Sequence, residues 1–303
     1  MKQRIIVGVL GTILILGILA GIYTPVYPIF LMIASAVAIF ELESVANITN
    51  KGLRIVSTIF GALVPLFLAY SYNGFIEKHV GFTVHAGTFV VFYVVVLLII
   101  SLIDYESIRF NHVAITLFAS LVIPFGFSSF VLVRDAYLYT NILNGNKKEC
   151  IFFIFLALGS AWVTDAGAYF VGKKFGKHKM APHISPKKTW EGAIGGVIVA
   201  LVFNMCMLLA FDKLYIHGPA FKYWYIIPVS LILSVMGMLG DLTASAVKRN
   251  YGIKDFGGLL PGHGGVLDRF DSCLFTMPTM YVILTFSDSA IVVVRSLMSL
   301  IRK

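Results

Sequence analysis

Between Ser245 and Asp271 the chain reads SAVKRNYGIKDFGGLLPGHGGVLDRFD, a run of Lys, Arg, Asp, His and Gly set between apolar stretches. Taking charged groups out of water is expensive, so a polar cluster between apolar spans is where a working site is expected. Asp241, Ser245 and Lys248 stand at i, i+4 and i+7, one face of a helix, and Asp268 and Asp271 at i, i+3 share another. Carboxylates with no thiolate or imidazole partner suit a hard cation. Mg²⁺ is usually held by one or two of them while substrate phosphates fill its other positions. Lys248, Arg249 and Lys254 are placed to meet such phosphates, and Gly257, Gly258, Gly262, Gly264 and Gly265 let a loop approach a ligand closely. The combination implies a metal and phosphate site. For any one residue a solvated surface charge is the simpler account, but it does not explain carboxylates, cations and glycines crowded together. His263 is more readily structural than catalytic.

A second polar insertion, from Thr164 to Gly192, reads TDAGAYFVGKKFGKHKMAPHISPKKTWEG. Ala168, Gly172 and Gly176 recur every four residues, so that helix face admits close approach by another backbone or a bulky ligand. Asp165 lies at the edge of an apolar span, where a carboxylate costs roughly 2.5 to 3.5 kcal/mol at the bilayer centre and less near the interface, so a partner is expected. Ser185 and Pro186 have the types of an N-cap and first helical position, yet Lys187 and Lys188 follow where the helix dipole disfavours cations. A bound anion would relieve that conflict. Anchoring of a cytoplasmic loop is the alternative for these lysines.

The elements that must carry these residues are hydrocarbon. Of 303 residues 58% are hydrophobic and 13% charged, against roughly 25% charged in a soluble domain, and the mean hydropathy is +0.89. Apolar stretches run over 5–22, 26–40, 55–71, 88–103, 113–133, 151–171, 192–211, 224–240 and 273–294, with 26–40 short enough to be re-entrant. The expected fold is therefore all-α, a polytopic membrane bundle of about nine helices. Residues 1–150 would form N-terminal helices, and 151–303 a catalytic region with cytoplasmic loops 172–191 and 241–271. The first stretch follows Lys2 and Arg4 but lacks a small-x-small cleavage site before Gly21, so it reads as an uncleaved helix. With the N-terminus inside, most of the 24 Lys and Arg fall on the cytoplasmic side, which also receives both polar insertions. The net charge of +9 suits loop anchoring and anionic lipid. Basic aromatic runs of the kind that stack single strands are missing, so nucleic acid is not an expected partner. Cys150, Cys206 and Cys273 lie far apart and read as small apolar fillers.

The long polar segment resembles the signature of the phosphatidate cytidylyltransferases, or CDP-diacylglycerol synthases: S-x-x-K-R, K-D, H-G-G and D-R-x-D. Ser245, Lys248, Arg249, Lys254, Asp255, His263 to Gly265, Asp268, Arg269 and Asp271 match it. Upstream, Asp165, Tyr169, Ser185 to Thr189, Glu191 and Gly192 are similar too, as is Gly240-Asp241. The resemblance is strong over the C-terminal half and rests on the pattern of spans elsewhere. It implies an all-helical integral membrane homodimer in the plasma membrane, its active site facing the cytoplasm, using Mg²⁺ with K⁺ as a second cation. The implied reaction converts CTP and phosphatidate to CDP-diacylglycerol and pyrophosphate. Asp241, Lys248, Asp268 and Asp271 are then expected to be catalytic, with the three carboxylates at or near the metal. Ser185, Lys187, Lys188, Ser245, Arg249, Lys254, His263, Gly264, Gly265 and Arg269 are expected to bind substrate.

Two other readings stand beside this one. A CTP-dependent polyprenol or lipid kinase would use a similar site but move the γ-phosphate and leave CDP. A transporter would show charges or broken helices in both halves, whereas the first 150 residues carry nothing to match the C-terminal cluster.

Overall fold

The computed structural model describes residues 2–71, 86–140, 146–216, 223–262 and 264–301. The described chain is almost wholly helical: α1 (Lys2–Ala20), α2 (Val26–Val45), α3 (Lys51–Ser71), α4 (Ala86–Ile103), α5 (Phe110–Arg134), α6 (Lys147–Phe175), α7 (Trp190–Phe211), α8 (Ile226–Asn250), α9 (Leu267–Phe270) and α10 (Cys273–Ile301). The only sheet among the described residues is a hairpin, β1 (Lys179–Ala181) antiparallel to β2 (Ser185–Thr189). Six of the described helices, α2, α3, α5, α6, α7 and α8, are long and apolar enough to cross a bilayer, and Gly87–Ile103 is a shorter apolar helix. At 20 residues α2 is long enough to span, where residues 26–40 alone suggest a re-entrant segment.

The chain forms two units, Met1–Val131 with Lys248–Phe270 and Leu132–Val247 with Asp271–Lys303. Sequence alone suggests a division near residue 150. Along the chain, the first unit takes in the glycine-rich segment, which packs with the N-terminal helices.

In the first unit Leu53, Phe60, Tyr93, Leu97 and Val113 form a buried core, with the Phe60 and Tyr93 rings stacked 3.7 Å apart. One polar detail shows how apolar surroundings dictate sequence. Pro65 inside α3 has no N–H to give the Gly61 carbonyl one turn back, and in hydrocarbon a freed carbonyl must be satisfied internally. Ser35 on α2 supplies the bond, its Oγ donating to Gly61 O at 2.9 Å.

In the second unit α6 packs along α7 through the small residues seen in the sequence. A Cβ at Gly172 would lie 3.4 Å from Gly192 Cα, and one at Gly196 2.5 Å from Thr164 O, so the backbones meet directly. Of the two readings left open for that stripe, tight helix packing is the one realised. Asn204 on α7 donates to Ser160 Oγ on α6 and Ser230 Oγ on α8, both at 2.8 Å, and Thr164 Oγ1 bonds Ser234 Oγ at 2.9 Å. Cys150 and Cys273 are buried fillers as expected, while Cys206 is exposed, and all three are free thiols.

The pairing of Ser35 with the carbonyl that Pro65 abandons predicts a specific coupling. Ser35→Ala alone should cost about 1–3 kcal/mol by leaving a buried acceptor unpaired. In a Pro65→Ala background, where residue 65 again offers an N–H, the same change should cost little. Unfolding free energies of the four proteins in detergent check this; equal costs in both backgrounds would contradict it.

Candidate functional site

The candidate site residues of the first unit are collected where α8 ends. The helix stops through a left-handed Gly252 (φ +66°), with Gly252 N–H donating to Arg249 O and Ile253 N–H to Lys248 O, at 3.0 and 2.9 Å. That stop leaves Lys248 pointing into the unit and Arg249 outside, its Nη1 donating to Ile253 O at 3.0 Å. Lys248 and Asp268 are only 9% and 7% exposed, and Lys248 Nζ reaches Asp268 Oδ1 at 2.7 Å. The other oxygen, Asp268 Oδ2, accepts from Phe256 N at 2.8 Å and Gly265 N at 3.0 Å. Gly264 takes φ +83°, and a Cβ there would lie 2.9 Å from Asp268 Oδ2. This glycine is required both for its conformation and for its closeness to the carboxylate.

Glu41, near the C-terminal end of α2, completes the framework. It is 6% exposed, and its two oxygens accept from Val266 N at 3.0 Å and Leu267 N at 2.9 Å. Three successive amides, Gly265 to Leu267, are thus spent on the protein's own carboxylates. Phe270 anchors the far end of α9, its ring centroid 5.2 Å from that of Phe127 and 6.4 Å from those of Phe30 and Phe130. What the loop offers outward is a pocket of about 360 Å³ lined by Lys254, Asp255, Arg269 and the glycines 257, 258, 262 and 264. Lys254, Asp255 and Arg269 are exposed there, within the size range of ligand sites. His263 lies outside the described residues.

The second unit holds the remaining acids. Asp241 and Ser245 share a face of α8 as expected, with Ser245 Oγ 3.5 Å from Asp241 Oδ1. Lys188 on β2 forms an ion pair with Asp241. Asp165 on α6 has the partner its position demanded, Ser272 Oγ, at 3.1 Å, and it lies within electrostatic reach of both Asp241 and Lys188. Asp271 follows α9 in a turn and accepts from Ser272 N at 2.7 Å. It is therefore not on a shared helical face with Asp268: α9 ends at Phe270, and Asp268 belongs to the first unit while Asp271 belongs to the second.

The structure corrects the reading of Ser185 and Pro186 as a helix start. Ser185 to Thr189 is a β-strand, and α7 begins only at Trp190, with Thr189 as N-cap accepting from Gly192 N at 3.2 Å. The residue before a proline is pushed towards extended backbone. Moving the start by four positions also puts Glu191 rather than two lysines in the first turn, where the dipole favours an anion. Glu191 binds the backbone amides of Lys177 and His178, tying hairpin to helix. On β2, Ser185 is half-buried, Lys187 exposed, and Lys188 turned in towards Asp241.

Among the described residues no three His, Cys, Asp or Glu side chains cluster closely enough to hold a metal by themselves. Hard oxygen donors are nonetheless the right chemistry for Mg²⁺, which needs only one or two carboxylates when substrate phosphates complete the shell. Asp165 and Asp241 stand near one another with Lys188 balancing only one of their charges, an arrangement that fits a cation.

Sequence reasoning missed Glu41. The signal was present: a carboxylate at the end of an apolar stretch demands a partner by the same argument applied to Asp165.

Comparison with known proteins adds independent findings. Residues 2–287 match the model of the Cytidylyltransferase family. A phosphatidate cytidylyltransferase of Bacillus subtilis is 38% identical over 287 residues, 94% of this chain and 97% of that protein. One from Staphylococcus haemolyticus is 32% identical over 286 residues, covering 94% and 99%. One from Staphylococcus aureus strain COL is 46% identical over 138 residues, covering 46% and 51%.

The buried pair makes a stability prediction. Asp268→Leu, which strands the Lys248 ammonium, should cost about 3–5 kcal/mol. Adding Lys248→Met should recover part of that loss, because the unpaired charge is gone while the amides of Phe256 and Gly265 stay unsatisfied. Denaturation in detergent across the double-mutant cycle measures the coupling, and strictly additive costs would contradict a paired role.

Proposed function

The chain belongs to the Cytidylyltransferase family, and from that premise we propose how its residues divide the work of moving a cytidylyl group from CTP to phosphatidate. The relatives that match over nearly their whole length are named phosphatidate cytidylyltransferases, and transfer of a cytidylyl group to phosphatidate makes CDP-diacylglycerol and pyrophosphate. The observation that carries the assignment of residues is the glycine-walled pocket of Lys254 and Arg269, whose cations are left exposed while the neighbouring amides are already engaged.

Phosphatidate carries a phosphate monoester with a second pKa near 6, so it arrives largely as a dianion and needs little help from a general base. One of its oxygens attacks the α-phosphorus of CTP, and the bond to the β-phosphate oxygen breaks, releasing pyrophosphate. The protein's task is electrostatic: bring two anions together and stabilise the charge on the leaving group. Lys254 and Arg269 are assigned to the CTP phosphates. Arg249, exposed on the same segment, is assigned to them as well. Lys187 and Ser185 on β2 are assigned to the phosphatidate headgroup, with Ser245 beside Asp241.

Mg²⁺ would be held by Asp241 and Asp271, with Asp165 nearby, and when bound supplies Lewis-acid neutralisation of phosphate charge; K⁺ is the proposed second cation. Asp268 already accepts three hydrogen bonds, so its proposed part is to organise the loop with Lys248, with one acceptor position left. The assembly is proposed to be a homodimer in the plasma membrane, its hairpin facing the cytoplasm.

The assay uses purified protein in detergent with phosphatidate, Mg²⁺ and CTP labelled at either the α- or the γ-phosphate. Label from the α-position should enter lipid, and γ-label should leave as pyrophosphate. γ-Label in lipid with CDP as product would instead identify a lipid kinase. Asp271→Asn should lower kcat at least about a hundredfold, because several kcal/mol of charge stabilisation is removed at 1.36 kcal/mol per tenfold. Near-normal turnover of that variant across a Mg²⁺ titration would contradict the metal assignment. For orientation, a single cysteine at Lys177, in a background lacking the native three, should react with impermeant reagents from the cytoplasmic side only.

A further inference from the structure

We propose that Glu41 is a positioning residue for CTP binding: an acid on an N-terminal helix that fixes the shape of the phosphate pocket without touching substrate. The inference rests on the assignment of the Lys254 and Arg269 pocket to the CTP phosphates. Glu41 bonds Val266 N and Leu267 N with one oxygen each, and these amides immediately precede Asp268 and Arg269. A Cβ at Gly257 or at Gly265 would strike the Glu41 carboxylate, so both strands of the loop close on it. Gly257 and Gly258 in turn form a wall shared by the polar pocket and by an apolar groove of about 520 Å³ that includes Val37, Phe40 and Leu259. Among the described residues Glu41 makes no ion pair. Its charge is answered by the loop's own backbone dipoles, a strong class of hydrogen bond.

The arrangement has a consequence for binding. Backbone amides in a glycine loop ordinarily attract phosphate. Here Glu41 and Asp268 occupy Gly265, Val266 and Leu267, which both freezes the loop and withdraws those donors from substrate. CTP is left to the side chains of Lys254 and Arg269, whose placement depends on the clamp.

The test compares Glu41→Gln and Glu41→Asp with the parent enzyme in detergent. Gln is isosteric but offers one acceptor oxygen where two amides need one each; Asp keeps both acceptors on a shorter arm. Glu41→Gln should raise KM for CTP about tenfold or more, with KM for phosphatidate within twofold and kcat less affected. Hydrogen exchange at Val266 and Leu267 should quicken, and Glu41→Asp should fall between the two. If Glu41→Gln fails to fold, Glu41→Asp alone must show the selective rise in KM. Unchanged KM for CTP in both variants, or equal rises for both substrates with a lowered thermal midpoint, would overturn the positioning role. Lys254→Gln separates this inference from the reading beneath it. If Lys254→Gln raises KM for CTP while neither Glu41 variant does, the pocket assignment stands and the positioning role fails; if Lys254→Gln leaves it unchanged, the pocket assignment fails and the positioning role falls with it.

Discussion

In the membrane-spanning helices of this chain a polar group is best satisfied by the chain itself, because what surrounds those helices is hydrocarbon. An unpaired donor, acceptor or charge in such surroundings is far more costly than on a soluble surface. The rule operates at every scale: Ser35 serves the carbonyl that Pro65 leaves open, Asn204 ties three helices through two serines, and Asp165 takes Ser272. The glycine-rich segment is paired internally as well. Its amides are capped by Asp268 and Glu41, and Asp268 is neutralised by Lys248.

Function grows out of what that internal pairing leaves over. Buried charges are consumed in holding shape, whereas the exposed Lys254, Arg269 and Lys187 make no ion pair among the described residues. The same division separates the acids. Asp268 is committed to the loop, whereas Asp241 faces Lys188 and Asp165, with more negative than positive charge among the three. The proposed reaction needs both kinds of group: rigid ones that keep the site from collapsing, and uncompensated ones, which under the proposed assignment would meet phosphate and metal.

Much of this was legible in the sequence because it is local. The i, i+4, i+7 face of Asp241, Ser245 and Lys248 is a single helix, and the spacing of Ala168 and Gly172 is helical packing, while Gly176 caps the helix in extended backbone. The helical class follows from composition. What escaped is what depends on partners remote in the chain or on competition between neighbours. Glu41 acts on residues 225 positions away. Ser185 and Pro186 look like a helix start in isolation, but the hairpin takes these residues and Thr189 becomes the N-cap, with Glu191 in the first turn. Asp268 and Asp271 look like one acidic face, yet their helix is four residues long and ends between them.

The central claim is that the protein's own carboxylates hold the amides of Gly265, Val266 and Leu267, leaving the CTP phosphates to Lys254 and Arg269. An electron cryo-microscopy map of the enzyme with a non-hydrolysable CTP analogue and Mg²⁺ tests it most directly. The account predicts phosphate density against the Lys254 and Arg269 side chains while Glu41 and Asp268 keep their backbone bonds. Phosphate oxygens seated on the amides of Gly265 to Leu267, with Glu41 displaced, would contradict it.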